Sequence, residues 1–167
     1  MKLYTIGHST AELPALIDTL RDNGVDVLVD VRSKPRSRMQ HFDFGPLQAA
    51  VEQTGIRYRF LGDRLGGMPR DPEIAERWRQ GKLDPVIVAH LRATDEWADG
   101  LDELARLVRA DAGEAAVCIM CSEANPDECH RKAVALDMTE VIPGLEIEHL
   151  SIHKSAPSEV GVQEVLL

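Results

Sequence analysis

The chain has 167 residues, the usual span of one domain, and its 44% hydrophobic and 28% charged residues are the composition of a folded globular protein. A net charge of −9 disfavours nonspecific binding to nucleic acid or to an anionic membrane. No apolar run approaches the ~18–20 residues that cross a bilayer, and Met1 to Ile6 offers too few apolar residues for a signal peptide, so a cytoplasmic protein with no membrane partner is expected.

Leu3 to Ile6 reads as the first strand and Gly7-His8-Ser9-Thr10 as a tight connection. Ser9 with Glu12 three positions on fits a capping box. Leu13, Leu16, Ile17 and Leu20 then repeat at the spacing of one buried helix face, and Asn23-Gly24 ends the helix, glycine accepting the left-handed conformation. Val25 to Val31 is nearly continuous in apolar residues, as suits a strand covered on both faces. A polar loop, Arg32 to Pro46, precedes a helix over Leu47 to Thr54 and a strand over Ile56 to Phe60.

Leu61 to Asp84 is punctuated by Gly62, Gly66, Gly67, Pro69 and Pro72, with one short helix predicted from Ile74 to Gln80. A connection this long often serves as a lid or binding loop. Helices over Pro85 to Ala93 and Asp95 to Ala110 follow, then a buried strand from Ala115 to Met120. Pro126 or Asp127 opens a helix running to about Thr139, and Pro143-Gly144 turns the chain into a last strand, Leu145 to Leu150. The organisation predicted is one α/β domain over 1–152 with a polar tail, 153–167: a mostly parallel, open, Rossmann-like sheet of about five strands with helices on both faces.

That architecture makes a statement about function. Ligands bind beyond the carboxyl ends of the strands in such sheets. The segments leaving the first, second and Ala115–Met120 strands carry His8-Ser9, Arg32 through Arg38, and Cys121-Ser122-Glu123, and are expected to share one edge. Arg32, Lys34, Arg36 and Arg38 alternate with Ser33, Pro35 and Ser37, which sends four cations to one side of an extended segment. Residues 32–82 hold eleven Lys and Arg against six Asp and Glu, while the rest holds eight against twenty-two. The local excess points to an anion site, with a plain solvated surface as the alternative. Phe42, Phe44, Tyr58 and Phe60 lie near this loop as core residues or as stacking platforms.

The three cysteines, Cys118, Cys121 and Cys129, fall within a dozen positions, which in a reducing compartment reads as chemistry before disulfides. Cys118 is assigned to the core. Cys121, past a strand and before a helix, would gain thiolate character from a helix N-terminus, with His130 and Arg131 adding positive potential and Glu123 handling protons. The spacing Cys-x7-Cys-His is not a close zinc pair, and neighbours on a helix point about 100° apart, so no metal and no cofactor are predicted. Phosphate loops of the G-x-x-x-x-G-K-[ST] or G-x-G-x-x-G kind are absent, as is a G-x-S-x-G elbow.

Thr5-Ile6-Gly7-His8-Ser9, Val29-Asp30-Val31-Arg32-Ser33-Lys34-Pro35-Arg36-Ser37, Ile56-Arg57-Tyr58, Leu65-Gly66-Gly67, Met120-Cys121-Ser122-Glu123 and Cys129-His130-Arg131 together resemble the prokaryotic family named domain of unknown function 488. The resemblance implies a single α/β domain and supplies no activity. The residues themselves suggest an enzyme, a hydrolase or transferase, with Cys121, Glu123 and His130 as catalytic groups. His8, Ser9, Arg32, Ser33, Arg36, Arg38 and Arg131 would hold a small anionic molecule, a phosphorylated one included. The alternatives are a nucleotide- or nucleic-acid-binding module without catalysis, and a scaffold in which the Cys/His/Arg group only ties loop to helix. The oligomeric state is not predicted.

Overall fold

The computed structural model describes residues 1–79, 84–110 and 114–152. Strands β1 (Lys2–Gly7), β2 (Val27–Asp30), β3 (Arg57–Phe60), β4 (Val117–Cys121) and β5 (Glu146–Leu150) form one sheet in the order β3-β2-β4-β1-β5. Every neighbouring pair runs parallel, so all carboxyl ends lie on one edge. The helices are α1 (Leu13–Asp22), α2 (Phe44–Gln53), α3 (Pro72–Arg79), α4 (Pro85–Arg92), α5 (Asp95–Arg109) and α6 (Arg131–Val141).

Strand alternation divides the core in two. Val27, Val29, Val117, Ile119 and Cys121 face α4, α5 and α6, packing with Leu91, Leu104, Val134 and Met138. Leu28, Cys118 and Met120 face α1 and α2, packing with Leu16, Leu20, Leu47 and Val51. The result is the three-layer arrangement expected, with helices on both faces of a parallel sheet. Cys118 is fully buried, as assigned.

The differences from the sequence reading are local. Ser9 caps nothing: it stands at φ 45°, and Glu12 is itself the N-cap residue of α1, with no side-chain cap bond. The chain first bends through an Ala11 N–H to His8 carbonyl turn, and Pro14 then fixes the first turn of the helix. Gly24, at φ 64°, does close α1 in the left-handed conformation. β4 reaches Cys121 rather than ending at Met120. Residues 126–128 form a 3₁₀ turn, and α6 begins only at Arg131. Gln80, the predicted end of α3, and the tail 153–167 lie outside the described residues. No described helix is long and apolar enough to cross a membrane.

Candidate functional site

The order of the sheet puts β2, β4 and β1 side by side, so the three segments singled out in the sequence leave from adjacent carboxyl ends. Cys121 is the last residue of β4 and pairs with Gly7. Past it the chain doubles across the end of β1, where the His8 N–H donates to the Cys121 carbonyl at 3.0 Å and the Ser9 N–H to the Ser122 carbonyl at 2.8 Å. A Cβ on residue 7 would lie 1.8 Å from the Glu123 carbonyl oxygen, so only glycine permits this crossing. Arg131 clamps it from the other side, donating to the carbonyls of Glu123 and Ala124.

Cys129 and His130 come together because they are not consecutive residues of a helix. The Asn125 side chain accepts from the Asp127 N–H at 3.0 Å and sets up the 3₁₀ turn, which delivers Cys129 in extended conformation (φ −127°, ψ 137°) just ahead of His130, the N-cap of α6. The expected divergence of their side chains therefore does not arise. His130 Nδ1 lies 3.8 Å from Cys121 Sγ and 3.9 Å from Cys129 Sγ, and all three atoms fall within 4.8 Å of one another. His130 Nε2 stands 2.9 Å from the Val31 carbonyl oxygen, which can only accept, so Nε2 carries a proton and Nδ1 is the ring nitrogen turned toward the sulfurs. Gly67 lies against the ring: a Cβ there would be 2.6 Å from Nδ1.

The two thiols at this point differ. The Cys121 S–H donating to it, the neighbouring His130 and the Arg131 backbone N–H hold Cys129 well below the ordinary thiol range. The same contact with Cys129, together with burial, pushes Cys121 well above that range. Cys121 is 7% exposed and is the last residue of a strand rather than the first of a helix. Arg131 is 1% exposed, joins no ion pair among the described residues, and its Nε has no hydrogen-bond partner.

A cavity of about 820 Å³ opens over this group. Cys121, Cys129 and His130 line it together with Arg32, Ser33, Lys34, Gly67 and Met68, the acidic Glu123, Asp127 and Glu128, and Trp78 and Arg79 of α3. Glu123 is exposed there. Trp78 (39% exposed) and Arg79 were not singled out in the sequence, and Cys129 was weighed there only as a metal ligand. One of only two tryptophans in a polar helix after a glycine-rich loop is the signal that would have found Trp78, since the other, Trp97, is core.

The remaining candidates fall into two groups. Arg32 reaches the cavity wall, but its guanidinium is engaged inside the protein. It pairs with Asp30 at 2.6 Å, donates to the Phe42 carbonyl at 2.8 Å and lies 3.4 Å from His8 Nε2. The Tyr58 hydroxyl donates to the same carboxylate at 2.6 Å. Burial pushes that phenol above its ordinary range, and Asp30 adds to the effect. His8 is buried, stacked on Phe42 at 4.2 Å, with Nδ1 3.0 Å from the Ser9 carbonyl; burial, then Arg32, pull it down to about 4. Ser33 accepts from the Met68 N–H at 2.9 Å and ties the glycine-rich loop to the second strand's exit. Lys34, Arg36 and Arg38 are exposed on alternate positions, as the extended loop predicted, and Arg32 is not among them. Of the four aromatics, Phe42 and Tyr58 are buried, while Phe44 is exposed and meets Tyr58 and Phe60 edge-on.

Neither a curated protein nor a solved structure matches this chain. One family model does, that of the domain of unknown function DUF488, over residues 12–136, a span holding Arg32, Gly67, Cys121, Glu123 and the Cys129-His130-Arg131 run. The chain therefore belongs to the DUF488 family.

Proposed function

We propose that the chain is an enzyme, a hydrolase or transferase, whose reaction centre is the Cys121, Cys129 and His130 group and whose substrate is a small anionic molecule, phosphorylated compounds included. The observation that carries this reading is convergence: residues from four separated segments meet at one cavity whose floor is two sulfurs and an imidazole. Lys34 and Arg79, exposed on its wall, would hold the anion, because the charge of Arg32 is already matched by Asp30. Glu123 would carry the proton, and Trp78 with Met68 offers an apolar wall for the uncharged part. Arg131, Ser33 and His8 act as positioning residues, fixing respectively the 123–124 crossing, the glycine-rich loop and the first turn.

The test is turnover of small phosphate monoesters and acyl phosphates by the reduced protein. Activity is expected to vanish in Cys129→Ser with the circular dichroism spectrum retained, and Lys34→Ala and Arg79→Ala are expected to raise KM at nearly constant kcat. If no compound is turned over in a manner that Cys129→Ser abolishes, the reading fails. A second reading, a module binding single-stranded nucleic acid, is favoured by one observation: Lys34, Arg36 and exposed Phe44 line an adjoining cavity of about 570 Å³ that shares Ser33 and Lys34 with the first. Affinity for an oligonucleotide would then fall linearly with salt on logarithmic axes.

A further inference from the structure

We propose that Cys121, Cys129 and His130 bind a single divalent cation of the zinc class, through both Sγ atoms and Nδ1, with a fourth coordination position open to the cavity. Bond lengths of about 2.3 Å to sulfur and 2.0–2.1 Å to nitrogen, at tetrahedral angles, require S···N separations of about 3.6 Å and an S···S separation of about 3.8 Å. The protein holds S···N at 3.8 and 3.9 Å, with all three donors inside 4.8 Å. The two S···N separations need to close by only a few tenths of an ångström, and the sulfurs by at most about 1 Å.

The imidazole is already oriented for ligation. Its Nε2–H is committed to the Val31 carbonyl, the outer-shell arrangement that fixes the tautomer and ring plane of a metal-bound histidine, and Nδ1 is left with the two sulfurs. Gly67 stands where any side chain would displace the ring. Two sulfurs and one imidazole select a soft ion such as zinc over magnesium or calcium. Three protein ligands beside a cavity are also the ligand count of a catalytic zinc rather than of a closed structural one.

The inference rests on the reaction-centre reading only for the meaning of the open position, where a water or a substrate oxygen would sit; binding of the ion is independent of turnover. The experiment is titration of the reduced protein with cobalt(II) alone, followed by zinc competition. One equivalent is expected, with a sulfur-to-cobalt charge-transfer band and the visible bands of four-coordinate cobalt. Cys121→Ser and Cys129→Ser should each lose about half of the charge-transfer intensity, one of two thiolates being gone. His130→Gln should keep the band and weaken binding beyond the ~100-fold that loss of an outer-shell partner costs. Cys118→Ser, whose sulfur lies on the opposite face of the sheet, should titrate as the parent does. Should a variant fail to fold, the parent still decides the matter: zinc should raise its melting temperature and a chelator should reverse the rise. No stoichiometric cobalt binding by the reduced parent, or an undiminished band in Cys129→Ser, overturns the proposal. Metal-loaded protein that turns over nothing would remove the proposed activity and leave the ion; turnover by a protein that binds no cobalt would do the opposite.

Discussion

Asp30→Asn tests whether Arg32 is a strut of the fold or a hand for substrate. Asp30 and Arg32 have side chains 0% and 2% exposed, and the carboxylate receives the Arg32 backbone N–H, Nε, Nη2 and the Tyr58 hydroxyl at 2.6–3.1 Å. Replacement by the isosteric amide leaves volume unchanged, strands a guanidinium without its counter-charge and turns one acceptor into a donor. Breaking a buried pair in this way costs about 3–5 kcal/mol. That is a large share of the ~5–15 kcal/mol that holds a typical domain folded. Urea unfolding followed by circular dichroism should show the midpoint falling at constant m. Asp30→Asn combined with Arg32→Met should recover most of the loss, because replacing the arginine by an apolar side chain removes the stranded charge. A loss below about 1 kcal/mol in the single variant would refute the argument. It would also return Arg32 to the list of groups free to meet an anion.

Gly67→Ala should destabilise by about 1–3 kcal/mol, since its Cβ would lie 2.6 Å from His130 Nδ1 and 2.7 Å from Cγ of a ring tethered at Nε2; an unchanged melting temperature would contradict this. Gly7→Ala meets backbone rather than a side chain, the Glu123 carbonyl oxygen at 1.8 Å, so it should cost more than Gly67→Ala in the same measurement. His8 contributes a pH dependence of definite sign. Its folded value of about 4 lies below the ordinary 6.5, so the unfolded chain takes up the proton first. Stability is complete above about 6.5 and is lost as pH falls toward 4, by at most about 3 kcal/mol. His8→Gln should flatten that slope, and an unchanged slope would reject the assignment.

The fold was legible because its signals are periodic and local. Val27 to Val31 is apolar at every position but Asp30, and that run is a central strand covered on both faces. Leu13, Leu16 and Leu20 mark α1 by spacing alone. Parallel topology then predicted that the exits of β1, β2 and β4 would meet, and they do. The site was legible in outline for the same reason, since Cys121, Glu123, His130 and Arg32 all line one cavity. Its internal wiring was not. Whether Cys129 and His130 diverge or converge depends on a single 3₁₀ turn ahead of α6, a choice of one hydrogen-bond register that periodicity does not encode. The partner of Arg32 stands two residues away in sequence, yet the arrangement holds only because Tyr58 comes from a neighbouring strand and Phe42 from the intervening loop. Ser9 misled because a capping box is a pattern of residue types, while Ser9 itself stands at positive φ with its N–H given to the Ser122 carbonyl just past β4.

The position of β4 between β1 and β2 has a bearing on how the protein is made. On a ribosome the first two strands emerge early, yet neither can hydrogen-bond to the other, because the partner both require, beginning at Val117, is synthesised more than a hundred positions after Leu3. Until then both carry open edges and uncovered apolar side chains, the condition in which nascent chains aggregate or engage chaperones. Arrival of that central strand zips the two halves together, and it brings with it the sulfur of Cys121, so the first of the two cavity sulfurs is set in place by the same event that joins β1 to β2.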